Sequence, residues 1–476
     1  MTKDEEVARA GPEARVRSAV AGLSLAAIAG ARWSGLGAQD LRSIEVLDAF
    51  GFADGGILAI LEARPAGGDE PVRLTLPLLD ASPWLGLHGL VSGGGIVTGI
   101  RGGRLVGRPG PGVTSRLTAG GAADGASHGA SHSFRPSSGD QSHTNVVIDE
   151  RTILKLYRRL TPGPNPEAEV LEALAAIRDV PVPAWCGAVD LVRGDGETTT
   201  LAIEQAFVAG AVDAFELVAD GLAAWLQGET PPPPVAVPAA SGVATGRLHV
   251  ALARVDRSAF TPRAATREDR AVWLHRGVAR VEEAVRAVGG VDQRLAAWVE
   301  SAAPAIRRAL GPLGDAAIPV RLQRIHGDLH LGQVLPTPAG VLIVDFEGDP
   351  TRDPSERRAV ADRLRDVAAF LRSIDHVARS GYRRAIQPAS HTPGADAAAM
   401  LDGWIESARE AFLGGYSTGL GDAAWAPDRA LLRAMEMDKE LGELVYAATF
   451  LPTWLYAPTG GLRALLGDVA GIETLA

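Results

Sequence analysis

The chain holds a single cysteine, Cys186, in 476 residues. That excludes an intramolecular disulfide and any multi-cysteine zinc site. A lone thiol between Trp185 and Gly187 reads instead as a small core residue. Lysine is almost as scarce, with only Lys3, Lys155 and Lys439. Arginine supplies the other basic positions, so a retained lysine marks a place where a compact point charge is wanted that a guanidinium cannot replace. Long apolar runs are missing too. The Ala/Leu/Ile-rich stretch 19–31 has the length of a core helix and falls short of the roughly 20 residues of a membrane span. Residues 1–12 are acidic and lack the basic-then-apolar pattern of a secretory signal. The chain is therefore expected to be soluble and cytoplasmic, without a membrane partner. No basic stripe is present, the net charge is −10 and the pI about 5.6, which argues against nucleic acid as a partner.

What is present starts with length. A chain of 476 residues is long for one hydrophobic core, and two or three domains are expected. Three low-complexity stretches punctuate it. Residues 109–140, rich in Gly, Ala, Ser and His, read as a flexible linker whose His128 and His132 are solvated rather than metal-binding. Residues 231–238 form a proline-rich, extended bridge. Residues 387–398 separate two helical patterns. Strand patterns occupy 43–49, 56–62, 72–78, 144–148, 152–157 and 198–207, with a tight turn at 149–151. Helical spacing appears at 167–178 and then dominates: 215–227, 242–253, 267–288, 292–310, 362–378, 397–415 and 427–449.

The densest chemistry lies at 324–350. His326-Gly327-Asp328-Leu329-His330 is followed five residues after Asp328 by an amide, Gln333, and an apolar strand at 341–344 then delivers Asp345. A base, an amide ligand and a metal carboxylate in this order are what phosphoryl transfer from a nucleotide needs. Asp328 is the expected catalytic base, which orients the acceptor hydroxyl and takes its proton. Gln333 and Asp345 are the expected Mg²⁺ ligands, because magnesium prefers hard oxygens and completes its shell with water and phosphate. His326 and His330 flank the base. A zinc site built with Asp328 is the competing reading, but the two histidines are spaced through a glycine-containing loop, and orientation of that loop is the expected role. Asp366, opening a helix behind the motif, reads as its support.

Upstream, Lys155 sits on the apolar strand Ile153-Leu154-Lys155-Leu156-Tyr157. A strand lysine held by a helix glutamate contacts the α/β-phosphates in kinases. Glu169 is the favoured partner, with Glu172 one turn on as the alternative. The polar turn at 140–145, with Ser142 and Thr144, is placed to cover phosphates in lieu of a Gly-rich loop. Glu204, Gln205, Phe207 and Val208 end the last strand of this region and form the expected hinge against adenine. A strand-rich half followed by a helix-rich half fits a two-lobed α+β kinase, with a cap at 1–90, a nucleotide-binding lobe at 91–210 and a helical catalytic lobe at 211–476.

These residues carry a family resemblance. His-Gly-Asp-Leu-His-Leu-Gly-Gln with Asp-Phe-Glu-Gly resembles the aminoglycoside-phosphotransferase-like kinases, and among them the bacterial maltokinases and glucosamine kinases. Ala31-Arg32-Trp33 resembles their N-terminal cap. Leu154-Lys155-Leu156-Tyr157-Arg158-Arg159 with Gly163-Pro164-Asn165-Pro166 resembles their phosphate-anchoring strand and helix, and Gln205-Ala206-Phe207-Val208 their hinge. The resemblance implies ATP and Mg²⁺ as cofactors and a small sugar as acceptor. The stretch after Glu443 departs from maltokinases, where an Arg-Asn-Arg-Pro-like segment is replaced by Ala447-Ala448-Thr449-Phe450-Leu451-Pro452. Glu436, Glu440 and Glu443 recur at i, i+4 and i+7 on one helix face, with Asp438 nearby. Carboxylates facing a cleft suit a cationic sugar through charge-assisted hydrogen bonds. Together with His330 beside the base and Trp454 closing the pocket, Asp438, Glu440 and Glu443 are the expected acceptor contacts. Glucosamine 6-phosphorylation is the leading expectation. A maltokinase forming maltose 1-phosphate is the alternative enzyme, and a nucleotide- or sugar-sensing pseudokinase the alternative of another class.

Overall fold

The computed structural model describes residues 28, 41–67, 70–77, 83–111, 132–136, 143–387 and 396–467. Ala31–Trp33, Ser142, most of the 109–140 stretch and most of 387–398 lie outside the described residues. The chain divides into two compact units, 1–178 with 183–209 and 179–182 with 210–476.

The first unit is built on two antiparallel sheets. In one, β1 (Leu41–Gly51), β2 (Ile57–Pro65), β3 (Val72–Pro77) and β9 (Arg159–Leu160) pair in that order. The centre strand β2 is apolar almost throughout, and its Ile57, Ala59, Leu61 and Ala63 form a core with Ile28, Leu41, Ala49 and Leu74. The second sheet runs β4 (Gly95–Thr98), β5 (Arg104–Pro109), β10 (Trp185–Val192), β11 (Thr198–Ala206), β8 (Thr152–Tyr157), β7 (His143–Ile148), β6 (Phe134–Pro136). Strands β7 and β8 form the expected hairpin. Asp149 and Glu150 both take φ +52° at its turn, and the Arg151 amide donates to Ile148 C=O at 2.9 Å. Positive φ at both central positions is the turn whose twist matches a hairpin. Strand β6 falls within the stretch expected to be linker, because its edge pairs with β7 from Phe134↔Ile148 to Pro136↔Val146. Cys186 lies on β10 and is half-buried, not fully in the core.

Two helices complete this unit, α1 (Trp84–Gly93) and α2 (Pro166–Leu174). The second starts where sequence chemistry dictates. Pro166 stands at the first helical position, and the Asn165 side chain accepts from the Glu167 amide at 2.8 Å.

The second unit is helical. Its longer helices are α3 (Ala214–Leu226), α4 (Ala236–Leu252), α5 (Arg267–Gly289), α6 (Gln293–Leu310), α7 (Leu364–Ile386), α8 (Ala397–Leu420), α9 (Arg429–Phe450) and α10 (Tyr456–Leu466). The expected proline bridge is shorter than the sequence suggested, since α4 already begins within it. Helices α4 and α8 approach at backbone distance. A Cβ on Gly415 would lie 2.1 Å from Ala239 C=O, and one on Gly242 2.1 Å from Phe412 C=O, so only glycine fits. Helix α7 is the centre of the unit and is buried almost without interruption from Leu364 to Gly381. It packs on α3, α9, α10 and α8. Among the described residues no helix is long and apolar enough to cross a membrane.

Candidate active site

The 324–350 motif is held by a hairpin and by helix α7. Strand β12 (Arg321–Gln323) leads into the loop, and a single 3₁₀ turn at Leu331–Gln333 leads out into β13 (Val334–Thr337) and β14 (Gly340–Ile343). Asp366 receives the His326 amide at 2.8 Å and the Gly327 amide at 2.9 Å. It is 1% exposed and also meets His249 Nε2 at 2.9 Å, whose Nδ1 contacts the Tyr416 hydroxyl at 2.7 Å. Burial pushes this carboxyl up, but His249, His326 and the Gly327 amide outweigh it and keep Asp366 below its ordinary range. The His326 ring spans the loop, with Nε2–H donating to Val344 C=O at 3.0 Å and Nδ1 accepting from the Asp328 amide at 3.3 Å. His330 Nδ1 accepts from the Gly332 amide at 3.1 Å, and burial holds this imidazole below its usual value. His326 thus spends both ring nitrogens on the loop's own backbone, which orients the loop and leaves that ring none for a metal, while His330 spends one.

Gln333 and Asp345 stand together. The amide nitrogen donates to Asp345 Oδ2 at 3.1 Å, so the amide and the carboxylate lie side by side. Asp345 itself sits at φ +65°, a conformation costly for a non-glycine residue and typical of functional positions. An amide oxygen and a carboxylate on one short hairpin fit the donor set magnesium prefers.

Asp328 opens onto a cavity of about 740 Å³ within the second unit, which His330, Glu443, Asp438 and Trp454 also line. Lys439, on α9, reaches Asp328 Oδ1 at 2.9 Å and Glu443 at 2.6 Å. Burial lowers a lysine, yet Asp328, Glu443 and Asp349 together raise Lys439 well above its ordinary value, so it is charged. Glu443 is pushed up by burial and pulled below its usual range mainly by Lys439. This lysine was not among the expected site residues, although its rarity in an arginine-rich chain was a signal for it.

The acidic face of α9 is not a common wall of the cavity. Glu440 is fully buried against α7, where it accepts from His376 Nε2 at 2.9 Å and lies 3.7 Å from Arg372. Glu436 is buried as well, held by Arg372 at 3.2 Å and Arg409 at 2.6 Å. The i, i+4 face of α9 packs on the basic side of α7, so the expected role of Glu440 as an acceptor contact is replaced by an interhelical ion pair. Asp438 lines the cavity but is ion-paired with Arg280. Trp454 meets Phe215 tilted, with ring centroids 5.7 Å apart, and His376 edge-on at 6.3 Å, at the cavity wall.

In the first unit, Lys155 pairs with Glu167 at 2.8 Å, where Glu169 was the expected partner. Tyr157 donates to the same carboxylate at 3.1 Å. Two residues along a helix turn through about 200°, so Glu167 and Glu169 point apart, and the Asn165–Pro166 start sets which one faces β8. Glu172 instead meets Arg108 at 2.6 Å. Thr144 accepts from Arg158 at 3.1 Å. At the expected hinge, the Glu204 side chain is committed to His88 Nδ1 at 2.9 Å, and the Phe207 amide donates to Arg151 C=O at 2.8 Å. Gln205 stands on the same strand end, and Val208 follows it half-buried.

The site has relatives of known kind. The phosphotransferase enzyme family model matches residues 133–401. A glucosamine kinase of Streptacidiphilus jiangxiensis is 34% identical over 337 residues, 69% of this chain and 72% of that protein. A glucosamine kinase of Mycolicibacterium smegmatis is 32% identical over 344 residues, 70% of this chain and 80% of its own. Among solved structures, a glucosamine kinase in complex with glucosamine, ADP and inorganic phosphate superposes with a TM-score of 0.60 at 26% identity, over 98% of this chain and 99% of that one. With a family model over more than half its length and relatives above 30% identity, the chain belongs to the phosphotransferase enzyme family and is an ATP-dependent phosphotransferase whose acceptor is a hydroxyl group.

Proposed function

We propose that this chain is a sugar kinase that transfers the γ-phosphoryl group of ATP to the 6-hydroxyl of glucosamine. The observation that carries the chemistry is the loop tied to Asp366. It presents Asp328 to a cavity, while the Gln333–Asp345 pair stands on the hairpin that follows. The choice of acceptor is supported by two relatives named glucosamine kinase above 30% identity and by a similar structure that holds glucosamine.

Asp328 accepts the hydroxyl proton as the oxygen attacks phosphorus, and the bond to the ADP oxygen breaks. Gln333 and Asp345 would hold a magnesium ion, which would neutralise charge on the phosphate oxygens. Lys155, fixed by Glu167, takes nucleotide phosphate oxygens as a point charge. Thr144, Ser142, Gln205 and Val208 are assigned to the nucleotide. His330, Glu443, Asp438 and Trp454 shape the acceptor end.

The test is ADP release with glucosamine, glucose, N-acetylglucosamine, maltose and an aminoglycoside. Glucosamine is expected to give the highest kcat/KM, and maltose turnover well above it would overturn the acceptor. Asp328→Ala should lower kcat by about 10²–10⁴-fold, the range for losing a general base, with nucleotide affinity unchanged. Near-normal turnover would remove Asp328 from the role of base.

A further inference from the structure

We infer that Lys439 sets acceptor specificity and positions Asp328: its ammonium bridges Asp328 and Glu443, leaving one oxygen of each carboxylate and one net negative charge for a cationic acceptor. The inference rests on the proposed reading of Asp328 as base and of an amino sugar as acceptor.

The geometry is that of a bridge. Nζ lies 2.9 Å from Asp328 Oδ1 and 2.6 Å from Glu443 Oε1. Lys439 and Glu443 are one helical turn apart on α9, so their contact is fixed by the helix. Asp328 arrives from a loop 111 residues away in the chain, itself anchored through Asp366. Two of the three ammonium donors are thereby spent. No other donor among the described residues is recorded on Asp328 Oδ2 or on the second oxygen of Glu443.

Several other carboxylates lining the cavity meet guanidinium groups. Asp438 is paired with Arg280, Glu356 with Arg276, and Asp349 with Arg352 at 3.4 Å. A guanidinium can grip a carboxylate through two parallel hydrogen bonds and occupy both oxygens, as Arg276 does at Glu356. An ammonium takes one oxygen from each neighbour. The chain keeps one of its three lysines where two neighbouring carboxylates each retain an oxygen. Counting Asp328 and Glu443 as −1 each and Lys439 as +1, the triad carries −1, which one substrate ammonium balances. Oδ2 of Asp328 then faces the acceptor hydroxyl, and the second Glu443 oxygen faces the acceptor's amino group.

The experiment compares wild type, Lys439→Ala, Lys439→Gln and Lys439→Arg with glucosamine and with glucose. In Lys439→Ala, kcat is expected to fall at least tenfold for both sugars. The KM for glucose should rise while that for glucosamine holds or falls, moving the ratio of the two KM values at least fivefold. Added methylammonium should restore glucose turnover of Lys439→Ala saturably and leave wild type unchanged. Lys439→Arg should not restore it. Should Lys439→Ala fail to fold, Lys439→Gln supplies the same KM comparison. Equal losses on both sugars, no response to methylammonium and recovery in Lys439→Arg would overturn the inference and leave Lys439 a packing residue. Wild type that turns over glucose but not glucosamine would overturn the acceptor reading alone, since methylammonium rescue on glucose still decides the role of Lys439.

Discussion

Lys155 illustrates how much a single side chain depends on helix phase. Three glutamates lie within reach by sequence distance, Glu167, Glu169 and Glu172, and spacing alone does not choose among them. The choice is made by Asn165 and Pro166, which fix the first turn of α2 and aim Glu167 at β8. The signal was present in the sequence, because proline at the first helical position starts a helix there. Glu167→Gln is accordingly expected to raise KM for ATP about tenfold or more, since it uncouples a buried pair worth several kcal/mol. Glu169→Gln should stay within about twofold of wild type. Steady-state kinetics at saturating acceptor distinguishes them, and the reverse ranking would reject Glu167 as the anchor. By contrast, that Gln333 and Asp345 stand together was legible, because they flank one short hairpin that brings them to 3.1 Å.

At the scale of elements, α9 was read correctly as a helix and incorrectly as an acidic wall. Periodicity reports which residues share a face, but not what the face meets. Here it meets α7, whose Arg372, Asp375, His376 and Arg379 are all buried. A polar helix at the centre of a unit is invisible to a search for apolar stripes, and only the partner helix reveals that its charges are paired. His376 makes the consequence measurable. Burial lowers this imidazole, but Glu440, Glu443 and Asp375 outweigh it and raise its pKa above the ordinary 6.5. A raised pKa means that protonation favours the folded state. The contribution is therefore whole below about pH 6.5, the unfolded value, and is lost as pH rises through the higher folded value. Thermal unfolding from pH 5.5 to 8.5 should show wild type losing stability relative to His376→Gln across that interval. Parallel curves would show that the pair carries no proton linkage.

For the whole molecule, the segregation of strands before helices was readable from the change of hydrophobic period near residue 215. The strands β4, β5 and β10 were not. Arg104–Pro109 alternates poorly and is rich in Arg and Gly, and it is held as a strand by β4 on one edge and Gly187–Val192 of β10 on the other. Pairing of that kind is a tertiary fact. Assigning ATP and magnesium to the molecule has a thermodynamic counterpart. A non-hydrolysable ATP analogue at a hundredfold excess over its Kd should add about 2.7 kcal/mol to unfolding. In Gln333→Ala/Asp345→Ala the part of this increment that requires magnesium should vanish, as read by thermal shift with and without EDTA. A magnesium-dependent increment that persists in the double variant would reject these ligands. One further consequence belongs to Asp366. The amides of His326 and Gly327 end on a carboxylate sealed inside the helical unit, so they can trade hydrogen with solvent only when the loop lifts off α7. Their exchange rates thus gauge the opening free energy of the helical unit's interior rather than surface fraying, and the segment that carries the chemistry behaves, in hydrogen exchange, as part of the core.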